Sequence, residues 1–141
     1  MTGRIEQRQQ EFVDLFSELD DPLLQYELLT QIAGELQEYP EELKDDQHEV
    51  NGCQSKTWVC CTADDGRVNV LVDSEALIVK GMVGVVAQIM ENAPLEEAAH
   101  ARIDYIERTA LNDLITSDRR NGIKSAVQAI RDQATRLEEK E

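Results

Sequence analysis

The strongest constraint on the fold is a change of hydrophobic period at Asp73-Ser74-Glu75. Before it, Val68, Val70 and Val72 alternate with polar or exposed positions, the two-residue period of a half-buried strand. After it, from Ala76 to Met90, apolar residues occupy nearly every helical face, as in a helix buried across a sheet. Ser74 has the chemistry of a helix cap, and Glu75 would place a carboxylate in the first turn, where the helix dipole favours it. Upstream, Ser55 to Thr62 is rich in strand-forming residues, and Asp65-Gly66 is a hairpin turn signal. An antiparallel hairpin that runs straight into an apolar helix points to an α+β domain.

The remaining segments fit that architecture. Ile5, Phe12, Phe16 and Leu19 recur at helical spacing and predict a first helix over residues 5–19. Asp21 is a cap with Pro22 at the first helical position, and Leu24, Leu28, Ile32 and Leu36 continue a second helix that stops at Tyr39-Pro40. The acidic stretch Glu41 to Glu49 reads as a surface connection into a short strand near Val50, which makes the sheet three-stranded. Asn92 to Pro94 ends the apolar helix, and short helical pieces are expected over Leu95 to His100 and Ile103 to Leu111. Thr116-Ser117-Asp118 caps a last helix with the stripe Ile123, Val127, Ile130, Ala134 and Leu137, and the tail Glu138-Glu139-Lys140-Glu141 is expected to fray. No repeat, low-complexity segment or linker divides the chain, so residues 1–141 are expected to form one domain.

Composition narrows the function. A net charge of −15 over 141 residues repels polyphosphates, so nucleic acid is not an expected partner; the negative field suits a basic protein partner or serves only solubility. The opening Met1-Thr2-Gly3-Arg4-Ile5-Glu6 has no secretory pattern, and the Ala76–Met90 run, interrupted by Lys80, Gln88 and two glycines, is too short to span a bilayer. Three cysteines without framework spacing suggest a reducing, cytoplasmic setting rather than a disulfide scaffold.

The segment with chemical character is Val50-Asn51-Gly52-Cys53-Gln54-Ser55-Lys56-Thr57-Trp58. It puts a cysteine on a short polar turn after a glycine, which can adopt backbone angles other residues avoid. The amides and hydroxyls of Asn51, Gln54 and Ser55 are suited to hydrogen-bond a thiolate, the reactive form. A buried structural cysteine is the alternative, but the polar setting buries poorly. Cys60 and Cys61 are adjacent in a strand and point to opposite faces, Cys60 with Trp58 and Cys61 with Val59, which makes a shared metal site awkward. Both read as small apolar fillers, with a resolving role for an oxidised Cys53 as the alternative. His48 lies near enough in sequence to act on Cys53 but reads better as a solvated residue of an acidic loop. His100 has no evident partner. Asn121-Gly122-Ile123-Lys124-Ser125 lacks the upstream glycine and strand of a phosphate loop. Arg119-Arg120, at the start of the last helix, opposes the helix dipole, which fits a salt link to an acidic residue or a partner contact, with an ordinary surface pair as the equal alternative.

These residues resemble the SufE/CsdE sulfur-acceptor proteins of iron–sulfur cluster assembly. The resemblance rests on Gly52-Cys53-Gln54-Ser55 with Trp58, on Asp73-Ser74 followed by Ile78-Val79-Lys80-Gly81, and on Arg119 followed by Gly122. It implies an α+β fold shared with the cluster scaffold proteins. It further implies that Cys53 accepts persulfide sulfur from a pyridoxal-phosphate cysteine desulfurase (SufS/CsdA-like), stimulates that enzyme, and hands the sulfur to a scaffold (SufB-like). The chain would then be a desulfurase activator rather than a stand-alone enzyme, with no cofactor or metal of its own and with self-association left open. By the same resemblance Gly52, Gln54 and Ser55 shape the loop, Arg119 steadies it or meets the desulfurase, and Cys53 rests in an apolar hollow. Cys60, Cys61 and Arg120 are not part of the family pattern. The competing expectation is a cluster or metal scaffold that uses Cys53 with other ligands.

Overall fold

A computed structural model describes residues 3–140; Met1, Thr2 and the last residue of the tail, Glu141, lie outside them. Strand β1 (Thr57–Asp64) and strand β2 (Arg67–Ser74) pair antiparallel with Asp64 opposite Arg67. Asp65 and Gly66 both take positive φ, 53° and 73°, as a two-residue turn of this hand requires. The two-residue period then sorts the side chains. Val59, Cys61, Val68, Val70 and Val72 enter the main core, while Trp58 and Cys60 join Tyr39 in a second, smaller cluster on the other face.

The sheet has two strands, not the three expected. Around Val50 the chain makes only a single bridge, Glu49 opposite Trp58. Val50 N–H donates to the Thr57 carbonyl at 2.8 Å and Val59 N–H to the His48 carbonyl at 2.9 Å, but turns on either side of residues 49–50 stop the ladder. The rest of the exposed edge is closed by a side chain. Gln133 accepts from Cys61 N–H at 2.8 Å and donates to the Val59 carbonyl at 2.9 Å, which removes the free edge as a pairing template.

Helix α1 (Arg4–Ser17) and helix α2 (Pro22–Glu35) precede the sheet. Asp21 accepts from Leu23 N–H at 2.9 Å with Pro22 at the first position, as the sequence predicts. Helix α2 ends at Glu35 rather than near Tyr39. Leu36 turns extended, and Tyr39 drops into the cluster beneath Trp58. The acidic connection does more than bridge: a 3-10 turn at Glu41–Leu43 leads to Lys44, whose Nζ lies 5.2 Å from the Trp58 ring centre and 3.0 Å from the Asp73 carboxylate. This cover explains why the first five residues of β1 are buried on both faces.

Helix α3 (Leu77–Met90) lies across the sheet and is buried nearly all round. It starts later than expected. Ser74 remains in β2 opposite Thr57, its hydroxyl 3.1 Å from Thr57 Oγ1 and donating to the Lys56 carbonyl, so Ala76 becomes the cap residue. Helix α4 (Leu95–Ala99) follows as predicted, and His100 closes it with its ring Nδ1 3.0 Å from the Glu96 carbonyl. The helix expected over Ile103 to Leu111 is absent; only α5 (Leu111–Leu114) forms. Gln9 of α1 is the reason. Its amide donates to the Arg102 carbonyl at 3.0 Å and accepts from Asp104 N–H at 2.6 Å, which takes that carbonyl from a first helical turn and leaves only a turn over residues 105–108 with Tyr105 and Ile106 buried.

Helix α6 (Ser117–Glu139) packs its stripe Ile123, Val127, Ile130 and Ala134 on the sheet and on α4. It remains helical through Glu139, with Lys140 as its C-cap, where fraying was expected. Among the described residues no helix is long and apolar enough to cross a membrane.

Candidate functional site

The loop between the Glu49 bridge and β1 carries Cys53. Gly52 has φ +87°, a conformation side chains resist, and it turns the chain so that Cys53 faces the start of α6. The Cys53 thiol donates to the Gly122 carbonyl at 3.6 Å. A Cβ at position 122 would stand only 3.0 Å from that sulfur. Glycine inside a helix costs ~1 kcal/mol relative to alanine. The close approach of Cys53 gives a steric reason for glycine at position 122.

The neighbours of Cys53 reach the same helix face. Gln54 Nε2 donates to Asp118 Oδ2 at 3.0 Å, and a Cβ on Gly52 would lie 3.5 Å from Ser125 Oγ. Residues 118, 122 and 125 share one face of a helix. Beside the sulfur lies a hollow of about 70 Å³ walled by Ser55, Val79, Asp118 and Arg119. Thr116 caps α6 by accepting from Arg119 N–H at 3.2 Å.

Burial pushes the Cys53 thiol above its ordinary pKa; hydrogen bonding from Thr57 opposes this, and the Glu49 carboxylate adds to it. In this position the sulfur is therefore a sheltered thiol rather than a thiolate. Alkylation of Cys53 by iodoacetamide is expected to rise with pH through a midpoint above the ~8.5 of a free cysteine thiol. A midpoint at or below that value, read from a pH series of rates, would contradict the sheltered geometry.

The residues singled out in the sequence divide cleanly. Cys53, Gln54, Ser55 and Arg119 come together around one hollow, while Gly52 sits outside its lining and faces Ser125. Gln54 bonds to Asp118 and not to the sulfur, which corrects the expectation that it would cradle a thiolate. His48 pairs with Asp45 at 2.7 Å instead of acting on Cys53. Arg120 is occupied by Asn112, donating to its carbonyl at 2.8 Å, and thereby ties α6 to α5. Arg119 is exposed, and its guanidinium has no ion pair among the described residues. Cys60 and Cys61 sit in different cores, and burial pushes Cys61 up to about 12. Asp118 and Val79 were not legible as site residues. Asp118 has the sequence signal of a cap, and Val79 that of a core position.

Known proteins resemble this chain in sequence and fold. The family model for the SufE Fe–S metabolism associated domain matches residues 10–134. A SufE-like protein of Synechocystis sp. is 33% identical over 110 residues, covering 78% of this chain and 69% of that protein. A SufE-like protein of Rhizobium etli is 30% identical over 129 residues, 88% of this chain and 87% of that protein. SufE-like protein 1 of Arabidopsis thaliana, chloroplastic/mitochondrial, is 27% identical over 93% of this chain, which spans 36% of its length. The solution structure of a hypothetical protein from Thermus thermophilus superposes with a TM-score of 0.81 over 99% of both chains at 18% identity, which shows a common fold. With the family match extending from α1 to the last turns of α6, the chain belongs to the SufE family, whose domain is associated with Fe–S metabolism.

Proposed function

We propose that this chain takes sulfur from the persulfide of a pyridoxal-phosphate cysteine desulfurase onto Cys53, speeds that enzyme by clearing it, and delivers the sulfur to an iron–sulfur scaffold. The observation that carries this reading is a half-buried thiol on a glycine-hinged loop, seated against a helix beside a small hollow. Sulfur transfer needs a nucleophile that can emerge and a product that can be sheltered, because persulfides are readily oxidised or reduced.

The step balances without an external oxidant. The loop swings out, the thiol regains an ordinary pKa and loses its proton to solvent. The Cys53 thiolate attacks the outer, protonated sulfur of the enzyme's persulfide. A bond forms from Cys53 to that sulfur, the enzyme's sulfur–sulfur bond breaks, and the desulfurase cysteine leaves as a thiolate. Arg119 lines the hollow, and its guanidinium would favour the negative charge that the persulfide carries once deprotonated. The chain's net charge of −15 favours a desulfurase with a basic docking face.

A cluster scaffold is less well supported. Among the described residues no three His, Cys, Asp or Glu side chains gather closely enough to hold a metal ion, and Cys60 lies in a different cluster from the one that holds Cys61 and borders Cys53. Incubation with a cysteine desulfurase and free cysteine is expected to add one sulfur atom to the intact mass, mapped by peptide analysis to Cys53. Failure to load, or loading at Cys60 instead, would overturn the proposal.

A further inference from the structure

We propose that α6 acts as a seat for the Cys53 loop, with Gly122 as a positioning residue beneath the sulfur and the Gln54–Asp118 hydrogen bond as a clasp that a partner's basic side chain opens. The proposal rests on the sulfur-carrier reading and adds the part that governs when the sulfur is available. Loop residues 54, 53 and 52 meet α6 at Asp118, Gly122 and Ser125, so the loop lies along one helix face rather than touching it at one point.

The contacts differ in kind. Gly122 is buried, and what recommends glycine there is space: an added methyl would stand 3.0 Å from Cys53 Sγ, closer than such atoms ordinarily approach. Its φ is not positive, so no backbone demand calls for glycine. The Gln54–Asp118 bond is exposed on both sides and competes with water. Opening the loop therefore breaks one exposed hydrogen bond, the thiol's contacts with Gly122 and Thr57, and its packing at the edge of the core. Asp118 makes no ion pair among the described residues. A lysine or arginine brought to it by a docking protein would compete with the Gln54 amide for its carboxylate, a pairing of two full charges against a bond from an uncharged donor.

Alkylation of Cys53 in the isolated full chain tests this without a desulfurase. Gly122→Ala is expected to raise the rate near neutral pH several-fold, with the pH midpoint falling toward that of an exposed thiol as the sulfur leaves its shelter. Asp118→Ala and Gln54→Met should accelerate alkylation in the same direction, while Asp118→Asn, which keeps an acceptor for Gln54, should retain the wild-type rate. Should Gly122→Ala fail to fold, as judged by its thermal melt, the two surface variants decide. Wild-type rates and midpoints in the folded variants would overturn the seat, and so would an Asp118→Asn variant as fast as Asp118→Ala. Acceleration by added desulfurase should be weaker in Asp118→Asn than in wild type; equal acceleration would overturn the opening by a basic side chain. Sulfur loading is read separately. Normal loading with unaltered alkylation rejects the seat alone, whereas accelerated alkylation with no loading rejects the carrier function alone.

Discussion

Cys53→Ser is expected to leave a cysteine desulfurase turning over at the rate it has alone, with no sulfur added to the chain. Serine is nearly isosteric and can still donate to the Gly122 carbonyl, so the loop and the docking surface should survive. What is lost is the nucleophile. A hydroxyl is far less ionised than a thiol near neutral pH, and exchange at sulfur proceeds through a thiolate. Binding to the desulfurase should therefore persist while stimulation disappears. Cys60→Ala provides the contrast: its sulfur is buried with Trp58 and Tyr39 on the far face of the sheet, so loading at Cys53 should be retained. The measurement is desulfurase turnover with each variant, alongside intact mass. If Cys53→Ser stimulates as well as wild type, sulfur is being handled elsewhere.

The second large effect concerns stability. Gly81→Ala is expected to lower the melting temperature by roughly 5–10 °C, corresponding to about 2–3 kcal/mol in a chain of this size. A Cβ at position 81 would lie 2.3 Å from the Leu29 carbonyl oxygen and 2.8 Å from its carbon, both backbone atoms of α2. Backbone cannot step aside as a flexible side chain can, so α2 and α3 would have to separate. That separation outweighs the ~1 kcal/mol that alanine offers a helix over glycine. Gly84→Ala should be milder, because the nearest atoms are the Leu36 methyls, at 2.9 and 3.1 Å. Gly34→Ala meets nothing within 4 Å in α2 and should stabilise by up to ~1 kcal/mol. Thermal melts should rank Gly34→Ala above wild type and Gly81→Ala well below it. A Gly81→Ala variant that melts at or above wild type would show that the two helices are farther apart than described.

The parts of this protein legible in its sequence are those governed by neighbours a few residues apart. Asp65-Gly66 marks the hairpin, Asp21-Pro22 opens α2, and the two-residue period sends Cys60 and Cys61 to opposite faces, each visible because turn chemistry, capping and side-chain alternation are local. Cys53 stood out in the same way, as a thiol behind a hinge glycine in a polar turn. Tertiary structure decided the rest. Gln9 suppresses a helix over Ile103 to Leu111 by taking the backbone groups of Arg102 and Asp104, which lie 93 and 95 positions away. The expected third strand shrinks to one bridge because turns flank it, and Gln133 of α6 closes the edge instead. The seat of Cys53 belongs to this second group: Gly122 and Asp118 lie 69 and 64 positions from their partners Cys53 and Gln54, and only the packing of α6 on β1 brings them to the loop. The pattern of residues thus determined which side chain stands out as the candidate nucleophile, and the long-range packing determined its shelter, its elevated pKa and the surface that holds it, because burial is set by whatever the rest of the chain places around a group.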